Sequence, residues 1–110
     1  NISRIFCQNL GADLAVIKSE DENQFVYDLL RNTTGDHHGW IGLHRRADKR
    51  FHWLDSRPVE GNFQKWSLGQ PSDAKSKEDC VLLKNNNANG KWNDRRCSDS
   101  KPIAICQWPI

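Results

Sequence analysis

Four cysteines constrain the fold of this 110-residue chain more than any other feature of its sequence. A chain of this length buries only a modest core, and only 36% of its residues are hydrophobic. Four cysteines in a small, core-poor chain are typical of two disulfides that supplement the core, and disulfides persist in oxidising compartments. The sequence therefore predicts a single domain, residues 1–110, that is secreted or forms the extracellular part of a cell-surface protein.

The cysteines allow three pairings, and all three are open at this point. Cys7 and Cys106 lie near the two ends, with Cys80 and Cys97 between them. A nested pairing would tie the ends together and close a separate, shorter loop, contributing about 5 and 3 kcal/mol in the chain-entropy model. A structural zinc site is the competing explanation, but the chain has no Cys-x-x-Cys pair.

Periodicity predicts two helices followed by a half that is rich in strands and loops. The first helix is expected to end at Gly11, and its apolar spacing is carried by Ile2, Ile5, Phe6 and Leu10. Ser19 and Glu22 form a capping box for the second helix, whose expected buried stripe is Phe25, Val26, Leu29 and Leu30. Short apolar runs then predict strands at residues 14–17, 40–43, 51–54, 80–83 and 103–106. This is an α+β fold.

Five tryptophans imply a packed interior despite the polar composition. Trp40, Trp53 and Trp66 are interpreted as core residues rather than as a platform for stacking sugars. Trp92 is expected to pack as well and to orient its neighbours Asn93 and Asp94.

Charge and motifs argue against several classes of function. The net charge of +2 is too weak to indicate a nucleic-acid partner. No apolar stretch approaches the about 20 residues that span a membrane, so membrane insertion is not expected. A nucleophile elbow, a phosphate-cradling glycine loop and a His-Glu-x-x-His motif are all absent from the sequence, so an enzyme is not expected.

Motifs along nearly the whole chain resemble those of the C-type lectin domain. The first half carries GADLAVI at 11–17, WIGL at 40–43, WLDS at 53–56 and NFQKW at 62–66; the second carries QPS at 70–72, EDC at 78–80 and WND at 92–94. The resemblance implies a C-type lectin-like fold, in which two helices flank small antiparallel sheets beside a long calcium-binding loop region. It also implies the nested disulfides Cys7–Cys106 and Cys80–Cys97. The family's usual N-terminal hairpin is expected to be lacking.

The resemblance further implies a calcium ion that also binds two vicinal hydroxyls of a sugar. Calcium takes six to eight oxygen ligands. Carried over position by position, the side chains that would bind both the metal and the carbohydrate are Gln70, Ser72, Glu78, Asn93 and Asp94. Pro71 stands where the family has a cis-proline.

The triplet Gln70-Pro71-Ser72 departs from both of the family's patterns, Glu-Pro-Asn for mannose-type and Gln-Pro-Asp for galactose-type sugars. Gln70 agrees with the galactose type. Ser72 offers a short, neutral hydroxyl in place of an amide or a carboxylate, which should weaken calcium binding because affinity follows the charge of the ligands.

An auxiliary calcium site has three acidic candidates, Asp48, Asp73 and Asp79. Basic residues near Asp48 disfavour a second cation there by repulsion: His44, Arg45, Arg46, Lys49 and Arg50. Another divalent metal such as zinc is a further candidate, because the chain concentrates four histidines at positions 37, 38, 44 and 52, although no ligand spacing supports it.

The sequence thus favours calcium-dependent binding of glycans, galactose-type ahead of mannose-type, in the recognition of cells or microbes. The alternative is a calcium-independent lectin-like module that binds a protein or an anionic polymer through the basic loop, residues 44–50. Asn32 opens an Asn-x-Thr sequon, so an N-linked glycan is expected at the end of the second helix.

Overall fold

The computed structural model describes residues 2–72, 77–85 and 90–108. These residues form two helices, α1 (Ile2–Asn9) and α2 (Glu20–Thr34), and seven strands. The strands are β1 (Asp13–Leu14), β2 (Gly39–Arg45), β3 (Phe51–Trp53), β4 (Cys80–Leu83), β5 (Trp92–Arg95), β6 (Ile103–Ala104) and β7 (Cys106–Gln107). The α+β prediction is confirmed: β1 lies between the two helices, and the other six strands follow α2.

The strands form two sheets. β1 pairs antiparallel with β7, and the larger sheet has the order β3-β2-β4-β5, with β6 parallel to β2. In the antiparallel β4–β5 pair, Cys80 lies opposite Arg95 and Val81 opposite Asp94. The residues just before β4 therefore lie beside the end of β5, which brings Glu78 towards Asp94.

The buried face of α2 agrees only in part with the predicted one, because Leu30 is buried and Val26 packs against the core as expected. Phe25 and Leu29 are 68% and 47% exposed, whereas Asn23, Tyr27 and Leu30 are buried. The amphipathic pattern was wrong for Phe25 and Leu29 because a polar residue, Asn23, occupies the centre of the interface and forms hydrogen bonds there. The helix start is as predicted, since the Ser19 side chain accepts a hydrogen bond from the Glu22 amide.

The stripe predicted for α1 is also wrong. Its apolar side chains are more than half exposed, and Cys7 is the buried residue of the helix. The disulfide from Cys7 selects the inward face of this short helix, so the face richest in hydrophobic residues is left towards solvent: Ile2, Ile5, Phe6 and Leu10.

The tryptophans build the core as predicted. Trp40, Trp53 and Trp92 are at most 1% exposed, and Trp66 packs against the Trp92 ring with centroids 5.8 Å apart. Trp53 meets Trp92 edge-on at 5.4 Å. Trp108 differs from these four because it is 56% exposed.

Both disulfides follow the nested pairing that the resemblance implies. Cys7–Cys106 spans 99 residues and joins α1 to β7. Cys80–Cys97 spans 17 residues and joins the start of β4 to the segment that follows β5. The second bridge therefore clamps the two chain segments that carry Glu78 and Asp94.

A buried amide links α2 to β5. Asn23 is 1% exposed, its Nδ2 donates to the Gly90 carbonyl at 3.0 Å, and its Oδ1 accepts from Trp92 Nε1 at 2.8 Å. Because Trp92 immediately precedes Asn93 and Asp94, this pair of hydrogen bonds fixes the strand that carries two predicted ligands.

Replacing Asn23 by Leu should lower the free energy of unfolding by about 2–4 kcal/mol, since the Trp92 N–H and the Gly90 carbonyl would each lose a buried partner. Chemical denaturation measures the change. The exposed neighbour Gln24 provides the control, because Gln24→Leu should change stability by no more than about 0.5 kcal/mol. Equal effects of the two substitutions would contradict the role given to Asn23.

Candidate functional site

The loop that leads to the predicted ligands is anchored to β5 by its backbone. The Ser67 amide donates to the Trp92 carbonyl at 2.9 Å, and the Gln70 amide donates to the Ser67 carbonyl at 2.9 Å. The turn passes through Gly69 at φ +80°, a backbone conformation that suits glycine. The Gln70–Pro71 peptide is cis, as the resemblance implies.

Ser72 lies at the centre of the predicted ligands. Its amide donates to Gln70 Oε1 at 3.1 Å and to Asp94 Oδ1 at 2.9 Å. Its hydroxyl donates to Glu78 Oε1 at 2.8 Å and lies 3.4 Å from Asp94 Oδ1. The structure therefore brings together four of the five predicted side chains, from the loop, from the segment before β4 and from β5.

Asn93 is the fifth predicted ligand. Within the described residues no hydrogen bond joins it to the other four, and its Oδ1 is buried without a hydrogen-bond partner. A buried acceptor without a donor is costly, and coordination to a cation is one way to satisfy it.

The donor set fits calcium. Glu78 and Asp94 approach the same Ser72 hydroxyl, so two carboxylates converge where a divalent cation would relieve their repulsion. The other donors are amide and hydroxyl oxygens, and a set made only of oxygen suits calcium rather than zinc, which prefers nitrogen and sulfur.

Arg45 is a residue of this site that the sequence did not reveal. Its Nη2 lies 3.4 Å from Asp94 Oδ2, and its Nε lies 3.3 Å from Asp79 Oδ1. The side chain is only 15% exposed, and its guanidinium lies over the Phe51 ring, 4.4 Å from the centroid. Arg45 is one of several neighbouring basic residues, so the sequence does not indicate that its side chain points into the domain. Its position opposite Phe51 on the neighbouring strand determines this direction.

The candidates for an auxiliary calcium have separate partners. Asp79 contacts Arg45, whereas Asp48 accepts from the Arg50 amide and contacts His52 Nε2, both at 2.9 Å. The hydrogen bond from the Arg50 amide, followed by that of His52, lowers the pKa of Asp48. Asp73 lies outside the described residues. A shared auxiliary site therefore stays a prediction.

Some side chains of the basic loop form contacts within the domain. Arg46 Nη2 donates to the Trp53 carbonyl at 3.2 Å, and Arg50 Nη1 lies 3.9 Å from Glu60 Oε2. Arg50 remains 65% exposed and is open to a further anionic partner.

One grouping of potential zinc ligands occurs among the described residues, formed by His44, Cys80 and Cys97 with ligand atoms within 4.8 Å of one another. Both sulfurs are bonded to each other in a disulfide and cannot act as thiolate ligands. Partial desolvation of the imidazole lowers the pKa of His44.

Asn32 is exposed in the last turn of α2, and Thr34 of the same sequon donates its hydroxyl to the Leu30 carbonyl at 2.7 Å. Glycosylation of Asn32 stays a prediction.

None of the helices in the described ranges has the length and apolar character that crossing a membrane requires.

Comparison with known proteins gives consistent results. The model of the family "Lectin C-type domain" matches residues 1–108. The CD209 antigen-like protein 2 of Macaca mulatta is 37% identical over 103 residues, which are 92% of this chain and 37% of that protein. The chain thus spans little more than a third of that relative.

Solved structures agree with these sequence matches. Human lithostathine matches with a TM-score of 0.80 and 30% identity, over 96% of this chain and 79% of its own. The carbohydrate-recognition domain of cow CD23, solved in the presence of a GlcNAc2Man3 oligosaccharide, matches with a TM-score of 0.76 and 31% identity, over 94% and 74%.

A family match over nearly the whole sequence, the two nested disulfides and the shared fold lead to one assignment. This chain belongs to the C-type lectin domain family, whose members are carbohydrate-binding modules rather than enzymes.

Proposed function

We propose that the domain binds glycans in a calcium-dependent manner at the site centred on Ser72. The observation that carries the proposal is the convergence of the Glu78 and Asp94 carboxylates on the Ser72 hydroxyl. The two carboxylates, the Gln70 and Asn93 amides and the hydroxyl together offer the oxygen atoms that calcium requires.

Three of the ligand side chains, those of Gln70, Glu78 and Asn93, would have a second role towards the sugar. Calcium held by Gln70, Ser72, Glu78, Asn93 and Asp94 would attract vicinal sugar hydroxyls as a Lewis acid. Glu78 would accept hydrogen bonds from those hydroxyls, and the Gln70 and Asn93 amides could both donate and accept. Asp94, whose side chain has no exposed surface, would act on the sugar through the metal. These charge-assisted bonds orient the sugar and make carbohydrate binding depend on the same residues as metal binding.

Gln70 favours galactose-type over mannose-type sugars, on the pattern of the family triplets. Ser72 reduces the charge of the site, which makes calcium binding weak compared with a site of three carboxylates. The disulfides support a secreted or extracellular location, where millimolar calcium suits a weak site and where glycans of cells or microbes are accessible.

The competing function is calcium-independent binding of an anionic polymer by the basic loop. Two observations favour it. The guanidinium of Arg50 is exposed and can bind an anion, and the pairing of Arg45 with Asp94 gives a predicted calcium ligand a positive partner without metal. This competing function would be supported, against the proposed one, by binding that persists in EDTA and weakens with salt. That binding should be lost in the double variant Arg46→Ala/Arg50→Ala.

Glu78→Gln should weaken calcium binding at least about tenfold, because the site loses one of its two charged ligands. Titration calorimetry measures the affinity, and a glycan array with and without EDTA measures the dependence of sugar binding on calcium. Glu60→Gln is the matched control, since Glu60 is an exposed carboxylate that contacts Arg50. The proposed function is wrong if the unsubstituted domain shows neither heat of calcium binding nor a glycan signal that EDTA removes.

Ser72→Asp should have the opposite effect. The added carboxylate restores the galactose-type triplet and should strengthen calcium binding about tenfold. Ser100→Asp introduces the same charge on an exposed turn after β5 and should leave the affinity within about twofold. Equal affinities of the Ser72→Asp variant and the unsubstituted domain would show that residue 72 does not ligate the metal.

A further inference from the structure

We infer that Arg45 is a built-in cation that compensates the charge of the Asp94 carboxylate in the metal-free domain and thereby lowers the affinity of the site for calcium. The inference rests on the calcium site proposed above and concerns how that site is regulated. It makes Arg45 a positioning residue, because it acts on the site through Asp94.

The two oxygens of Asp94 face different partners. Oδ2 lies 3.4 Å from Arg45 Nη2, and Oδ1 accepts the Ser72 amide at 2.9 Å. The side chain of Asp94 has no exposed surface. One oxygen is thus directed to a permanent cation, while the other faces the loop that carries the remaining ligands.

Arg45 is itself held in place by several contacts. Its Nη2 lies 3.4 Å from the Glu78 carbonyl, its Nη1 donates to the Lys49 carbonyl at 3.3 Å, and Phe51 lies beneath the guanidinium. The Arg45 amide also donates to the Asp79 carbonyl at 2.8 Å. A planar guanidinium that never loses its proton is suited to such a fixed, multidentate position.

This arrangement connects Arg45 to both segments that carry charged ligands. It binds the Glu78–Asp79 segment through backbone and side chain, and it binds β5 through Asp94. The two segments are therefore kept at a fixed separation in the metal-free domain.

The electrostatic consequence has two parts. A buried carboxylate without a countercharge is strongly destabilising, so Arg45 stabilises the metal-free state. In the metal-bound state the same positive charge repels calcium across the Asp94 carboxylate. Both effects reduce the free-energy gain of calcium binding, and the linkage is reciprocal: calcium should raise the thermal stability of the domain less when Arg45 is present.

Arg45→Gln tests the inference, because it removes the charge and retains much of the side-chain length. Thermal unfolding in EDTA and in saturating calcium is combined with calcium titration by calorimetry. We expect the melting temperature in EDTA to fall by about 10 °C, and calcium to restore most of the loss. We also expect the calcium affinity to rise about tenfold.

Two further variants separate charge from geometry. Arg50→Gln removes the same charge from the same loop at an exposed position, and should shift the melting temperature by less than about 2 °C and the affinity by less than about twofold. Arg45→Lys keeps the charge without the planar fork, so its calcium affinity should stay near that of the unsubstituted domain, and its melting temperature in EDTA should exceed that of Arg45→Gln.

Several outcomes overturn the inference. An Arg45→Gln domain with unchanged stability in EDTA, or with unchanged or weaker calcium binding, would do so. A variant that is unfolded in EDTA and folds when calcium is added would support it, whereas a variant unfolded under both conditions would overturn it.

Failure of the proposed function has a different signature. If neither the unsubstituted domain nor Arg45→Gln binds calcium, both ideas are wrong. If calcium binds Arg45→Gln alone, the proposed calcium dependence of the natural chain is wrong and Arg45 is supported as the resident cation.

Discussion

The antiparallel pairing of β4 with β5 is the interaction on which the rest of the site depends. It places Val81 opposite Asp94 and Cys80 opposite Arg95, so the segment before β4 and the end of β5 reach the same edge of the sheet. The Cys80–Cys97 disulfide closes that edge covalently, and the Trp92 ring holds β5 in the aromatic core. Each charged ligand of the proposed calcium site is therefore positioned by strand pairing before any ligand arrives.

Much of this arrangement could be predicted because short motifs determine it locally. A capping box, four disulfide-bonded cysteines and aromatic residues in short strands each specify a structural role through their own chemistry. The resemblance to a family then supplied the disulfide pairing and the residues around Ser72, which lie far apart in sequence and come together only through sheet register.

The errors had a shared physical cause. Periodicity assigns a helix face from hydrophobicity alone, and in α2 the interface is centred on Asn23, whose amide satisfies Trp92 and Gly90. Charge patterning similarly treated Arg45 as one member of the basic loop, whereas cross-strand packing on Phe51 turns it towards Asp94. In both cases a polar side chain points into the domain because it has a specific partner in another element. Such partners cannot be recognised from a short stretch of sequence.

The loop before Ser72 is attached to β5 by its backbone. The side chains that would determine recognition are therefore largely separate from those that keep the domain folded. Asp94 lies on a strand tied to the core, so its replacement affects stability and binding together. Gln70 and Ser72 stand on a loop whose attachment to β5 uses main-chain groups, and Ser72 is exposed. Their side chains can be exchanged at little cost to folding. If the proposed sugar site is correct, new sugar preferences could therefore evolve at these two positions by single substitutions, without compensating changes in the core.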